Sequence, residues 1–103
     1  MDTYITLLRF TQSGLESIQK SAMRLNDIKA FFKSKGAEVK AFYMTLGEYD
    51  AIVISEAPDA NTIAKLSLEI GSQGKIRTTT LRSFPEKDFR EIIGTLPPKK
   101  VKL

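Results

Sequence analysis

The stretch Val39-Lys40-Ala41-Phe42-Tyr43-Met44-Thr45-Leu46-Gly47-Glu48-Tyr49-Asp50-Ala51-Ile52-Val53-Ile54-Ser55 decides the fold. Val39 to Leu46 is a β-rich run, Gly47 to Asp50 supplies turn chemistry, and Ala51 to Ser55 is a second β-rich run. Two strands joined by so short a connection form an antiparallel hairpin. Within it Gly47 is expected to take a positive φ, Asp50 to bond nearby amides, and Tyr49 to pack at one end.

Working outward toward the N-terminus, Thr3 to Phe10 carries Tyr4, Ile5, Leu7, Leu8 and Phe10, too uniformly apolar for a half-exposed strand. This reads as a strand covered on both faces. Thr11-Gln12-Ser13-Gly14 is a polar break, after which Ile18, Ala22, Leu25, Ile28 and Phe32 recur at spacings of four, three, three and four, which is a helical stripe. It ends at Gly36, where a left-handed cap follows the cations Lys33 and Lys35. Beyond the hairpin, Glu56-Ala57-Pro58-Asp59 breaks the sheet and Asp59 caps a helix with Ile63, Leu66 and Ile70 on one face, stopping at Gly71. Lys75 to Ser83 alternates as a polar strand, and Phe89, Ile92, Ile93 and Leu96 give an amphipathic helix after Pro85.

Strand, helix, strand, strand, helix, strand is the split β-α-β order of the ferredoxin-like α+β fold, here with a C-terminal helix added. In that topology the first and third strands are central, which agrees with their being the most apolar runs. On the first strand Tyr4, Leu8 and Phe10 point one way and Ile5 and Leu7 the other; on the third, Ile52 and Ile54 oppose Ala51 and Val53. One set serves the helices. The other set is an exposed patch on a monomer, so a homodimer with its sheets face to face is expected, leaving a cavity at the barrel centre or in the helix-side cleft. The alternative is that the C-terminal helix folds over the sheet of its own chain.

Composition excludes more than it identifies. The 103 residues are 42% hydrophobic and 27% charged, which suits one domain, placed at residues 1–96, followed by a basic Pro/Lys tail at 97–103. Neither His nor Cys is present, which removes Ser-His-Asp triads, Cys-His pairs, thiolate redox chemistry, disulfides and Cys/His zinc sites. No metal and no cofactor is expected. The formal charge is +4, but Lys99, Lys100 and Lys102 carry three of those charges, so residues 1–98 hold only +1. With no secretion signal at Met1-Asp2-Thr3-Tyr4 and no apolar run long enough to span a bilayer, a cytoplasmic location without membrane contact is expected.

The pieces Thr3-Tyr4, Phe10-Thr11 with Gly14, Gly47-Glu48-Tyr49-Asp50, Glu56-Ala57-Pro58-Asp59, and Arg77-Thr78-Thr79-Thr80 with Phe84 resemble the GYD domain family. The resemblance runs to about Leu96, with Glu48 inside the name-giving tripeptide and Ala22 where members often carry Pro. It implies a small bacterial or archaeal protein of dimeric α+β barrel type, with no established biochemical activity.

The candidate ligand-binding residues are Tyr4, Arg9, Tyr43, Tyr49, Asp50 and Arg77. Tyr49 and Asp50 offer a phenol and a carboxylate that can orient a polar ligand or move a proton, and Arg9, Arg77 and Arg82 with Thr78 and Thr80 suit a small carboxylate or phosphate. Plain structural roles compete: turn chemistry for Gly47 to Asp50, capping for Asp59 beside Glu56, and edge protection for the arginines. The leading expectation is a homodimeric module that binds or senses a small organic ligand. The alternative is a cofactor-independent oxygenase or isomerase using Tyr43, Tyr49, Asp50 and Glu56, with Arg9 or Arg77 stabilising an enolate-like anion. RNA binding is a minor alternative, because Ala51-Ile52-Val53-Ile54-Ser55 lacks the aromatic and basic residues of an RNA-stacking strand.

Overall fold

A computed structural model describes residues 1–98, so the lysines of the basic tail lie outside the described residues. The chain forms β1 (Asp2–Phe10), α1 (Gln12–Glu16), a 3-10 turn at Ile18–Lys20, α2 (Ser21–Ser34), β2 (Glu38–Met44), β3 (Ala51–Ala57), α3 (Ala60–Ser72), β4 (Ile76–Ser83) and α4 (Glu86–Thr95). The four strands make one antiparallel sheet in the order β2-β3-β1-β4, so β1 and β3 are central as the sequence order predicts.

Register sorts the side chains into two faces. Tyr4 stands opposite Ser55, Thr6 opposite Val53 and Leu8 opposite Ala51, all toward the helices. Ile5 stands opposite Ile54 and Leu7 opposite Ile52, toward the other face. The helix face is the core: Tyr4, Phe32, Ala37, Ala57, Ile63, Leu66 and Ile70 form one buried cluster. Each large apolar side chain buried there contributes about 1.5–3 kcal/mol. Among the described residues no helix covers the opposite face, where Ile5, Leu7, Ile52 and Ile54 are only partly buried.

Helix ends follow local chemistry. Gly36 has φ +77° and its N–H donates to the Lys33 carbonyl, while the Ala37 N–H donates to that of Phe32. That pair of bonds is a Schellman closure, and its usual apolar contact is made by buried Phe32 and Ala37. At α3 the Asp59 carboxylate accepts from the Thr62 N–H and hydroxyl, both at 2.8 Å, and these bonds hold its pKa below the ordinary value.

Two expectations change, and the alternative of a C-terminal helix over its own sheet falls away. The polar break at Thr11 to Gly14 is the start of α1, with Thr11 as its cap accepting from the Gly14 N–H at 3.0 Å. The stripe from Ile18 to Phe32 is therefore divided between the 3-10 turn, which holds Ile18, and α2, and of its α2 residues only Phe32 is buried. The C-terminal helix does not fold over the sheet: α4 makes no extensive contact with another element, and Phe89, Ile92, Ile93 and Leu96 stay 45–59% exposed.

A close backbone approach closes one end of the β1-β4 pair, where β1 ends and β4 begins. The Thr11 N–H donates to the Lys75 carbonyl at 3.1 Å and the Thr11 hydroxyl to the Gly74 carbonyl at 2.5 Å. A Cβ on Gly14 would lie 2.1 Å from that same Lys75 oxygen, so no other residue fits without moving backbone. Gly14→Ala is expected to destabilise the fold by about 1–3 kcal/mol. Gly71→Ala, in α3 where an added Cβ meets nothing, is expected to be neutral or stabilising by up to about 1 kcal/mol. Urea unfolding of both variants checks the contrast, and equal effects would remove the special role of Gly14.

Candidate functional site

The helix-side core fills only part of the space between helices and sheet. Around Phe10 and the N-terminal half of α2 there remains a cleft of about 610 Å³. Its floor is Leu8, Phe10, Ala51 and Val53 of the central strands, with Phe42 and Met44 toward the β2 edge. Its roof is the α2 stripe, including Ala22, Leu25 and Ile28. The β4 side is more polar: Thr6 and Thr80 hydroxyls lie 3.3 Å apart and those of Ser67 and Thr80 lie 3.4 Å apart. An apolar pocket with a few polar groups at its edges is the usual form of a small-molecule site.

The six candidate residues fall in three places. Asp50 alone lines the cleft. Its carboxylate accepts from the Phe10 N–H at 2.8 Å, and its own N–H donates to the Leu8 carbonyl at 2.8 Å, so it fastens the hairpin to β1. Gly47 has φ +109°, as the turn reading requires. Tyr49 lies beneath the Arg9 guanidinium, 4.9 Å from carbon to ring centroid, and Arg9 also pairs with Glu48 at 2.7 Å. Arg9 is directly opposite Arg77 across β1 and β4. These residues and Tyr43, which is 58% exposed, belong to the open sheet face or its edge, not to the cleft.

Strand alternation also divides the arginine group anticipated as an anion site. Arg77 shares the open face with Arg9, whereas Thr78, Thr80 and Arg82 share register with Leu8, Thr6 and Tyr4 on the helix face. Arg82 pairs with Asp2 at 3.1 Å. The phenol and carboxylate of the hairpin likewise do not converge on one enclosed point with Glu56, which lies on the open face opposite Thr3. Among the described residues no group of three or more Asp and Glu side chains is placed to hold a metal ion, and no helix is long and apolar enough to cross a membrane.

Comparison with known proteins fits this geometry. A GYD domain model matches residues 4–93. The chain belongs to the GYD domain family. A Thermus thermophilus relative is 35% identical over 90 residues, which span 86% of this chain and 95% of the relative. It is described as a glutamine synthetase and cystathionine beta-lyase binding protein. Two crystal structures share the fold: FFRP-DM1, at TM-score 0.59 and 24% identity over 82% of this GYD chain and 100% of that one, and TTHA0845 of Thermus thermophilus, at TM-score 0.53 and 21% identity over 82% and 95%.

Sequence reasoning missed the lining of the cleft, because the α2 stripe that forms its roof reads as ordinary core. Tyr4 has a different place from all the other candidates. It is 2% exposed, stands opposite Ser55, and neither its hydroxyl nor that of Ser55 has a hydrogen-bond partner among the described residues. A buried unpaired hydroxyl costs stability. Tyr4→Phe is therefore expected to stabilise this GYD domain by about 1 kcal/mol or more. Thermal unfolding checks it, and a loss of stability would show that the hydroxyl is bonded.

Proposed function

We propose that this protein is a non-catalytic binding module whose helix-side cleft takes a small organic ligand and which works as a homodimer in association with other proteins. The cleft carries the reading: a space of about 610 Å³ with an apolar floor and roof lies beside the buried core cluster. Filling that space by collapse would bury more apolar surface, so keeping it open has a stability cost that a ligand offsets. Of the acid and base candidates, Tyr43, Tyr49 and Glu56 lie on the open face or its edge and only Asp50 lines the cleft, with one carboxylate oxygen committed to the Phe10 N–H, which favours binding over catalysis.

Association with proteins is supported by the Thermus relative, described as binding two enzymes, and by the exposed apolar face of α4. The homodimer is supported by the uncovered sheet face, where Ile5, Leu7, Ile52, Ile54 and Leu81 form a contiguous apolar area across three strands.

Ligand binding is tested by an NMR-detected screen of small apolar and amphipathic molecules. Shifts are expected at Leu8, Phe10, Leu25, Ile28, Phe42 and Val53, and Ala22→Trp, which fills the cleft from the roof, is expected to weaken binding at least about tenfold. A screen without shifts at those residues, or binding that survives Ala22→Trp, contradicts the reading. For the dimer, light scattering should give twice 11.5 kDa, and Ile52→Glu should give 11.5 kDa with the fold retained. A wild-type monomer at micromolar concentration would overturn that part.

A further inference from the structure

The polar groups at the β4 end of the cleft are not randomly placed. The Lys75 ammonium donates to the Ser13 hydroxyl at 2.8 Å. Ser17 donates from its hydroxyl to the Ser13 carbonyl at 3.1 Å, and the Arg24 guanidinium donates to the Ser17 hydroxyl. Two serines one turn apart, Ser13 within α1 and Ser17 at its end, thus link a cation from the β4 side to a cation from α2. Lys75 and Arg24 both line the cleft, and both are partly buried.

Among the described residues neither cation forms an ion pair: the pairs are Arg9 with Glu48, Lys40 with Glu38, Arg82 with Asp2, and Arg90 with Glu86. A partly buried cation without a counter-charge carries a desolvation cost. An anion that reaches these cations offsets that cost and gains charge-assisted hydrogen bonds. Two carboxylates also line the cleft. Asp50 lies across β1 from Lys75, on the β3 side, with one oxygen committed to the Phe10 N–H. Asp27 is exposed on α2, one turn beyond Arg24. Neither comes within ion-pair distance of Lys75 or Arg24.

From this arrangement we infer that the cleft selects small amphipathic monoanions: carboxylic acids with an alkyl or aryl-alkyl body, carboxylate at Lys75 and Arg24, body over Leu8, Phe10 and Val53. The inference rests on the cleft being a ligand site and adds the ligand's charge, polarity and orientation. It predicts that affinity falls as salt rises, since part of it is electrostatic.

The test is calorimetric titration of the full chain with octanoate, phenylbutanoate, octanamide and octylammonium. Both carboxylates are expected to bind at least about tenfold tighter than octanamide, with octylammonium weakest. Lys75→Gln and Arg24→Gln should each reduce that preference and the double variant should abolish it, leaving octanamide binding unchanged. Lys75→Arg should retain the preference. The clasp with Thr11 uses the Lys75 backbone carbonyl, not its ammonium, so these variants keep it, and circular dichroism melting verifies their folding. Equal binding of octanoate and octanamide would overturn the anion selectivity while leaving the cleft as a ligand site. Preference for octylammonium would overturn it in favour of Asp27 and Asp50. Absence of binding by all four, together with an empty fragment screen, would remove the cleft reading itself.

Discussion

The junction of Thr11 and Gly14 with Gly74 and Lys75 is the constraint on which the remaining architecture depends. Here β1 ends, the helical layer begins, and the loop before β4 arrives, all within hydrogen-bond distance. The approach is possible because Gly14 has no Cβ to meet the Lys75 carbonyl. Its consequence reaches α2. The chain leaves β1 through α1 and a 3-10 turn before α2 starts, so the first turns of α2 stand off the sheet while its last turn is held against the core by Phe32 and Ala37.

That difference between the two ends of α2 accounts for both the core and the cleft. At the Tyr4 end, small residues on β3, Ser55 and Ala57, let Phe32, Ile63 and Leu66 close over the sheet. At the Phe10 end the sheet presents Leu8, Phe10, Phe42 and Met44, and the α2 stripe faces them across open space. The same junction positions the cations of the cleft. By fixing Ser13 next to Lys75, and through Ser17 next to Arg24, it gathers two cations that are remote in sequence. The structural contact and the cations proposed to hold a ligand's carboxylate thus share one junction.

What was legible in the sequence was whatever local chemistry and strand alternation determine. Gly36 and Gly47 needed positive φ, Asp59 needed to cap a helix, and the short Gly47 to Asp50 link could only join antiparallel strands. The apolar runs gave the central strands correctly. α1 was not legible because five polar and mixed residues with a central glycine have low helix propensity; its cap and the packing of Gly14 stabilise it instead. The grouping of Arg77 with Thr78 and Thr80 failed for a reason the sequence does contain: neighbours on a strand point to opposite faces. The cleft was invisible for a deeper reason. A stripe of Ile18, Ala22, Leu25 and Ile28 looks the same whether it touches the sheet or stands above it, and only the three-dimensional path through α1 decides.

The openness of that gap is the central claim, and a methyl-resolved nuclear Overhauser spectrum of the unliganded protein addresses it directly. Strong cross-peaks are expected among the core residues Ile63, Leu66 and Ile70 and the Ala37 and Ala57 methyls, with none from Ala22 to Leu8 or Val53 on the opposite wall. Strong cross-peaks from Ala22 to Leu8 and Val53 would show α2 lying flat on the sheet, and would contradict the cleft.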